Sequence, residues 1–340
     1  MLSVIVAVHN QIGHNMLFLE GIRRYTTGPY EVIVIDNHST DGSAEFFEAQ
    51  GCRVIRNAAN LCYPESMNLG TRNSTGEYLC HINNDLYVGP NWNGRLIEAM
   101  ERFHLDAVTP LGLEMMPTPA LTDWMQSRWA TIGQGRLSSG KTAVQLHAKI
   151  RAMYGDWEDF CEEVHRCFST TMFDGLNGSC VMVRRSTFDK IGLLDERVQA
   201  ADWDLYYRLR KREDEIGDVS RCKIFGGCYV HHFIRATVKG KREPFACTHP
   251  RLSIPEKWST EEQEKFWYKS NYFRSVADER SFLQIIRRHV GKPLKKLVKE
   301  FTRAFAWRWL YVNPERIVEL HRRQFQTLGT IHPSTGVSQS

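Results

Sequence analysis

The 340-residue sequence has no apolar stretch of membrane-spanning length, so no transmembrane helix is expected. Its nine cysteines are odd in number and include no Cys-x-x-Cys pair, which argues against a disulfide framework or a structural zinc ribbon. No Gly-x-Gly-x-x-Gly or Gly-Lys-Ser/Thr pattern closes the first apolar run, so the phosphate loop expected of a nucleotidyltransferase is missing there. Met1 leads directly into β-branched residues, with no basic region before them and no small-residue cleavage pattern after. A secretory leader is therefore not expected, and reduced thiols suit a cytoplasmic setting.

What is present fits an enzyme with one large core and an appendage: 42% of residues are hydrophobic and 24% charged. Charge is unevenly placed. Residues 281–325 hold eleven Lys and Arg (287, 288, 292, 295, 296, 299, 303, 308, 316, 322, 323) against three Glu, a local +8 in a chain of net +5. Within 287–323 an apolar stripe at helical spacing (Leu294, Leu297, Val298, Phe301, Phe305) runs beside lysines. It fits a helix packed on the rest of the chain, an anionic membrane surface, or nucleic-acid phosphates.

Strand-like runs at 2–8, 31–35, 53–56 and 78–82 alternate with helical patterns at 42–50 and 64–72, which predicts right-handed crossovers. The expected architecture is an α/β fold with a mainly parallel sheet flanked by helices. Periodicity loosens after Pro110, so 110–170 reads as inserted loops, and 178–184 returns to a strand pattern. Ser259-Thr260-Glu261-Glu262 has the spacing of a capping box. The expected division is a catalytic domain over 1–250, a basic helical extension over 251–328 and a flexible tail over 329–340.

The first two strand-like runs end in polar residues, Asn10 and Asp36-Asn37-His38-Ser39-Thr40-Asp41-Gly42. Such strand ends form the crevice where an open α/β sheet binds nucleotides. Their order, followed by Asn60…Asn68-Leu69-Gly70, Ile82-Asn83-Asn84-Asp85, Gly192-Leu193-Leu194-Asp195-Glu196 and Asp202-Trp203-Asp204-Leu205, resembles the family-2 glycosyltransferases of the GT-A fold. The resemblance covers about residues 1–240.

By that resemblance, Val8, Asn10, Asp36, Asn37, Ser39, Asp41, Asn60, Asn68, Asn83 and Asn84 line the nucleotide. Asp36 and Asp41 also suit turns or helix caps. Asn83-Asn84-Asp85 stands where the family has Asp-x-Asp, so Asp85 is the expected ligand of Mn²⁺ or Mg²⁺ and Asn83 removes one charge. The resemblance adds His232 as the second metal contact. His231, Arg235, Thr237 and Trp203 are candidates for the diphosphate or the acceptor. Asp202 is the expected general base; Asp204, two residues on, cannot share its helix face. Ala201 replaces the family's usual Glu. Tryptophans 124, 129 and 157 either stack on a ligand or fill a local core.

The implied activity is metal-dependent, inverting transfer from a nucleoside diphosphate sugar to a hydroxyl of a glycan or lipid-linked saccharide. Transfer to modified DNA bases is one alternative, and a silent glycosyltransferase-like binding protein, suggested by Asn83 and Ala201, is another. A lipid-linked acceptor would place the protein peripherally at the inner membrane surface.

Overall fold

The structure, a computed structural model, describes residues 1–133, 141–234, 244–266 and 314–329. The chain begins with strands and helices in alternation: β1 (Leu2–Val8), α1 (Ile12–Tyr25), β2 (Tyr30–Asp36), α2 (Ser43–Ala49), β3 (Arg53–Arg56), α3 (Tyr63–Arg72) and β4 (Tyr78–Asn83). Successive side chains of β1 point to opposite faces of the pleat. Val4, Val6 and Val8 meet Phe18 and Ile22 of α1 on one face, while Ile5 meets Met67 of α3 on the other. Both sides of this half are covered, as parallel strands require.

The second half holds β5 (Leu86–Val88), α4 (Trp92–Arg102), β6 (Ala107–Leu111), β7 (Met172–Asp174), β8 (Cys180–Arg184), α8 (Arg185–Ile191), α9 (Ala201–Glu215) and β9 (Lys223–His232). The sheet order is β3-β2-β1-β4-β8-β6-β9-β5, with β7 also on β9. The parallel character expected from the sequence belongs to β3-β2-β1-β4. Beyond β4 the pairing is mixed: β8 runs antiparallel to β4 and β6, and β9 runs parallel to β6 but antiparallel to β5 and β7. Pro110 in β6 lacks a ladder N–H, and the register shifts between Pro110 and Leu111.

Residues 110–170 are helical rather than loops, a correction to the sequence expectation. They form α5 (Pro119–Gly133), α6 (Ala143–Tyr154) and α7 (Trp157–Phe168). Weak periodicity in α5 and α6 follows from burial on several sides, α6 contacting α1, α5 and α7, whereas α7 carries a clear apolar stripe of Trp157, Phe160, Val164 and Phe168 that packs on β9. Trp157 is core, its Nε1 donating to the Val88 carbonyl at 3.0 Å, and Trp124 and Trp129 pack against His321 and His231.

After α10 (Ile254–Lys257), the capping box at Ser259 opens α11 (Thr260–Phe266), with reciprocal Ser259 and Glu262 hydrogen bonds of 3.1 and 3.2 Å. α12 (Pro314–Leu328) packs on α5, α6 and α7, burying Ile317, Val318, His321 and Phe325. This end of the expected extension is therefore built into the helices of 119–168. Eight of the eleven basic residues fall outside the described residues. Of the other three, Arg322 pairs with Glu163 and Glu319, and Arg323 pairs with Glu319. No helix among the described residues is long and apolar enough to cross a membrane. All nine cysteines are free thiols.

Candidate active site

Pairing register brings the expected residues to one edge: Val8 lies opposite Asp36, and Ala7 opposite Asn83. Asp36 is buried. Its Oδ2 accepts the Ser39 N–H at 3.2 Å, while Oδ1 is buried with no hydrogen-bond partner among the described residues. An unmatched carboxylate oxygen is costly inside a protein, so this position suits a donor from outside the chain, such as a pyrimidine N–H.

The adjoining loops are tied to each other. Asn10, in the left-handed region at φ 59°, donates its N–H to Ser39 Oγ at 2.8 Å and accepts the Thr40 N–H on Oδ1 at 2.8 Å. Asp41 caps two helices, accepting from Ile12 N–H at 2.9 Å and Ser43 N–H at 3.1 Å. Asn37 fastens β2 to α3 through Ser66 at 2.9 Å and receives Asn57 at 2.8 Å. Asn68 spends both its amide groups on Leu194 and Glu196 at 2.8 to 3.0 Å. Asn60 is buried, and its carbonyl accepts the Ala246 N–H at 2.8 Å. Asp41, Asn37 and Asn68 thus brace the strand ends through protein partners of their own.

Asp85 follows β4 and is buried. Pairing of Leu86 with His232 carries the end of β9 to it, and the Phe233 N–H donates to the Asp85 carbonyl at 3.0 Å. His232 Nε2 lies 3.2 Å from Asp85 Oδ1, and its Nδ1 hydrogen-bonds Glu114 Oε1 at 2.5 Å. Burial opposes a charge on His232, but the two carboxylates overcome it and raise its pKa to about 10. Burial likewise works against the Asp85 carboxylate, yet facing His232 lowers its pKa.

A carboxylate oxygen beside an imidazole nitrogen, with the other ring nitrogen fixed by a second carboxylate, is the donor arrangement of a metal-binding histidine. Asp85 and His232 therefore fit a divalent ion, which would displace the imidazole proton. Glu114, whose Oε2 is buried without a hydrogen-bond partner among the described residues, was not marked by any spacing in the sequence. His14 was also unmarked; it is buried in edge contact with Phe233, and burial lowers its pKa.

His231 points the other way. Alternation along β9 puts it in the aromatic core, 2.7 Å from the Tyr154 hydroxyl and against Trp129 and Phe233, so it has no route to a diphosphate. Asn84 is buried and donates to Asn15 at 2.7 Å. Arg235 and Thr237 lie outside the described residues.

Asp202 occupies the first turn of α9. A Cβ on Gly178 would lie 1.8 Å from its Oδ2, and Ser179, the next residue, accepts the Asn83 N–H at 2.9 Å through its carbonyl. One short segment thus links Asp202 to the end of β4. Desolvation raises the Asp202 pKa, against a lowering pull from backbone amides at the helix start. Asp204 is fully buried, paired with Arg208 at 3.0 Å and Lys257 at 2.7 Å, and receives Trp258 Nε1 at 2.9 Å. That ion pair, rather than the helix dipole alone, accounts for Asp204. Trp203 is half-buried against the core cluster below α9.

The family model "Glycosyl transferase family 2" matches residues 3–140. The likeness covers less than half of the chain, from β1 through α5. An uncharacterized glycosyltransferase of Haemophilus influenzae is 30% identical over 103 residues, 30% of this chain and 35% of that one. The uncharacterized glycosyltransferase YwdF of Bacillus subtilis is 26% identical over 214 residues, 62% of this chain and 68% of that one. The chain thus spans about a third of the Haemophilus relative's length. Among solved structures, S. aureus TarS is 15% identical with a TM-score of 0.43, covering 68% of this chain and 36% of that one. The mannosyltransferase PcManGT from Pyrobaculum calidifontis, in complex with GDP-Man and Mn²⁺, is 12% identical with a TM-score of 0.44, covering 97% and 88%.

Proposed function

We propose that this chain is a metal-dependent, inverting glycosyltransferase that moves a sugar from a nucleoside diphosphate to an acceptor hydroxyl. The observation that carries the proposal is the link from Asn83 through Ser179 and Gly178 to Asp202, which joins the motif end of β4 to a carboxylate with a raised pKa. Asp36 offers its unpartnered Oδ1 to the base, and the Asn10 and Ser39 tie keeps that loop in shape. Asp85 and His232 would hold Mn²⁺ or Mg²⁺. When bound, such an ion neutralises charge developing on the departing diphosphate.

A hydroxyl is a poor nucleophile at neutral pH, so Asp202 takes its proton during attack on the anomeric carbon. A raised pKa makes it a better base. Asp204 is locked by Arg208 and Lys257, which leaves Asp202 as the only member of the Asp202/Asp204 pair free to serve a one-step displacement. Inversion follows, and anomeric analysis of the product by NMR tests it.

The acceptor proposed is a glycan or lipid-linked saccharide, with a modified DNA base as the alternative; Arg322 and Arg323 pair with Glu163 and Glu319 yet stay exposed, which suits either. Incubation with a panel of nucleotide sugars and Mn²⁺, with free glycan, lipid-linked saccharide and duplex DNA as acceptors, tests the proposal by mass spectrometry. Nucleotide binding without transfer or donor hydrolysis would favour a silent binding module instead.

A further inference from the structure

We propose a second divalent-metal site, suited to zinc, formed by Glu65, Glu196 and His249 and sharing no residue with the Asp85 and His232 pair. The three side chains come from different parts of the chain: Glu65 from α3, Glu196 from the loop after α8, and His249 from the 244–253 segment. One ligand atom from each lies within 4.8 Å of the other two. His249 Nε2 and Glu196 Oε2 are 3.4 Å apart. That equals the edge of a tetrahedron whose metal bonds are about 2.0 to 2.1 Å long, which gives about 3.4 Å.

Glu65 supplies the observation that calls for a cation. The residue is only 6% exposed, and its Oε1 accepts the Thr248 N–H at 2.9 Å and the Thr248 hydroxyl. Its Oε2 is buried with no hydrogen-bond partner among the described residues. The Cys62 backbone N–H and thiol lie against the same carboxylate, but both are neutral donors and offset no charge. On Glu196, Oε1 is held by Asn68 at 2.9 Å and Arg72 at 3.3 Å, which leaves Oε2 turned to His249. Such outer hydrogen bonds orient a ligand before the ion arrives.

One imidazole nitrogen and two carboxylate oxygens match zinc with three protein ligands and a solvent molecule in the fourth position. The His249 side chain is half exposed, which provides that open position and an entry path. An ion here would fasten 244–253 onto α3, where the Ala246 N–H already meets the Asn60 carbonyl at 2.8 Å.

The test uses the full-length Asp85→Ala protein, so that the expected nucleotide-site metal is absent. After stripping with chelator, dialysis against micromolar Zn²⁺ and desalting, elemental analysis should find roughly one retained equivalent of zinc, accompanied by a higher melting temperature. Adding His249→Ala, a half-exposed change that leaves the core alone, should weaken zinc binding at least about tenfold and abolish the melting shift. Glu65→Gln should do the same. No zinc retained by the Asp85→Ala protein, or equal retention with and without His249, would overturn the site. Zinc counting does not depend on sugar transfer, so failure of the glycosyltransferase proposal would leave this result readable.

Discussion

Gly178 and Asp202 are in such close approach that a Cβ on the glycine would sit 1.8 Å from the carboxylate Oδ2. The carboxylate holds its position only because residue 178 has no side chain. Gly178→Ala should displace it by about an ångström and lower transfer on the order of a hundredfold. Calorimetry should find nucleotide affinity unchanged; equal losses in both would instead indicate collapse of the crevice.

Asp202→Asn removes the proposed base while preserving its shape. Transfer should fall on the order of a hundredfold or more with donor binding kept. The same change reports on burial. A carboxyl whose folded pKa is raised stabilises the fold only while protonated, a contribution lost as pH rises through that raised value. The asparagine protein should therefore melt higher than its parent at pH 7. In the parent, transfer should decline as pH falls and Asp202 gains its proton.

Asp85→Ala should abolish metal-dependent donor binding. Glu114→Ala leaves both proposed ligands in place but frees His232 Nδ1, so Mn²⁺ affinity should drop about 10- to 100-fold, measured by isothermal titration. An unchanged affinity would remove Glu114 from the site.

Asp36→Ala deletes the orphaned Oδ1 along with its Ser39 contact. Loss of a charge-assisted hydrogen bond of about 1.5 to 3 kcal/mol predicts nucleotide binding weaker by roughly one to two orders of magnitude. A competition titration with free nucleoside diphosphates measures it.

His81 and His321 are buried and held neutral, with pKa values lowered by burial to about 4 and about 3. The unfolded chain takes up those protons near pH 6.5. Stability from each histidine is therefore present above that pH and lost below it, by about 2 kcal/mol per residue at pH 5. Thermal melts between pH 7.5 and 5 should show the decline, and His321→Gln should flatten it.

The parallel half of the sheet was legible because a doubly covered strand needs a continuous β-branched run. Leu2–Val8 and Tyr30–Asp36 are such runs, and both are followed by the polar residues proposed to meet the nucleotide. The helices at 119–168 were not: α5 and α6 pack on several neighbours and lose the single apolar stripe that marks a helix, although α7 keeps one from Trp157 to Phe168 that helical spacing could have marked. Glu114 lies just before those helices, and nothing near it in sequence shows that β9 brings His232 against it.

The order of short polar motifs along the chain nominated Asp36, Asp85 and Asp202, and strand register sets the first two at one end of the sheet. Spacing alone did not separate His231 from His232; the resemblance assigned the metal to His232 and left His231 as a diphosphate or acceptor candidate. They are adjacent, and only the pairing of β9 with β5 turns one toward Asp85 and the other into an aromatic core. The resemblance chose Asp202 over Asp204, and the structure supplies a physical difference between them: Arg208 and Lys257 close on Asp204, while Gly178 makes room for Asp202. Residue type and spacing carry local chemistry, whereas the direction a side chain faces depends on strand register and on groups that are distant in sequence.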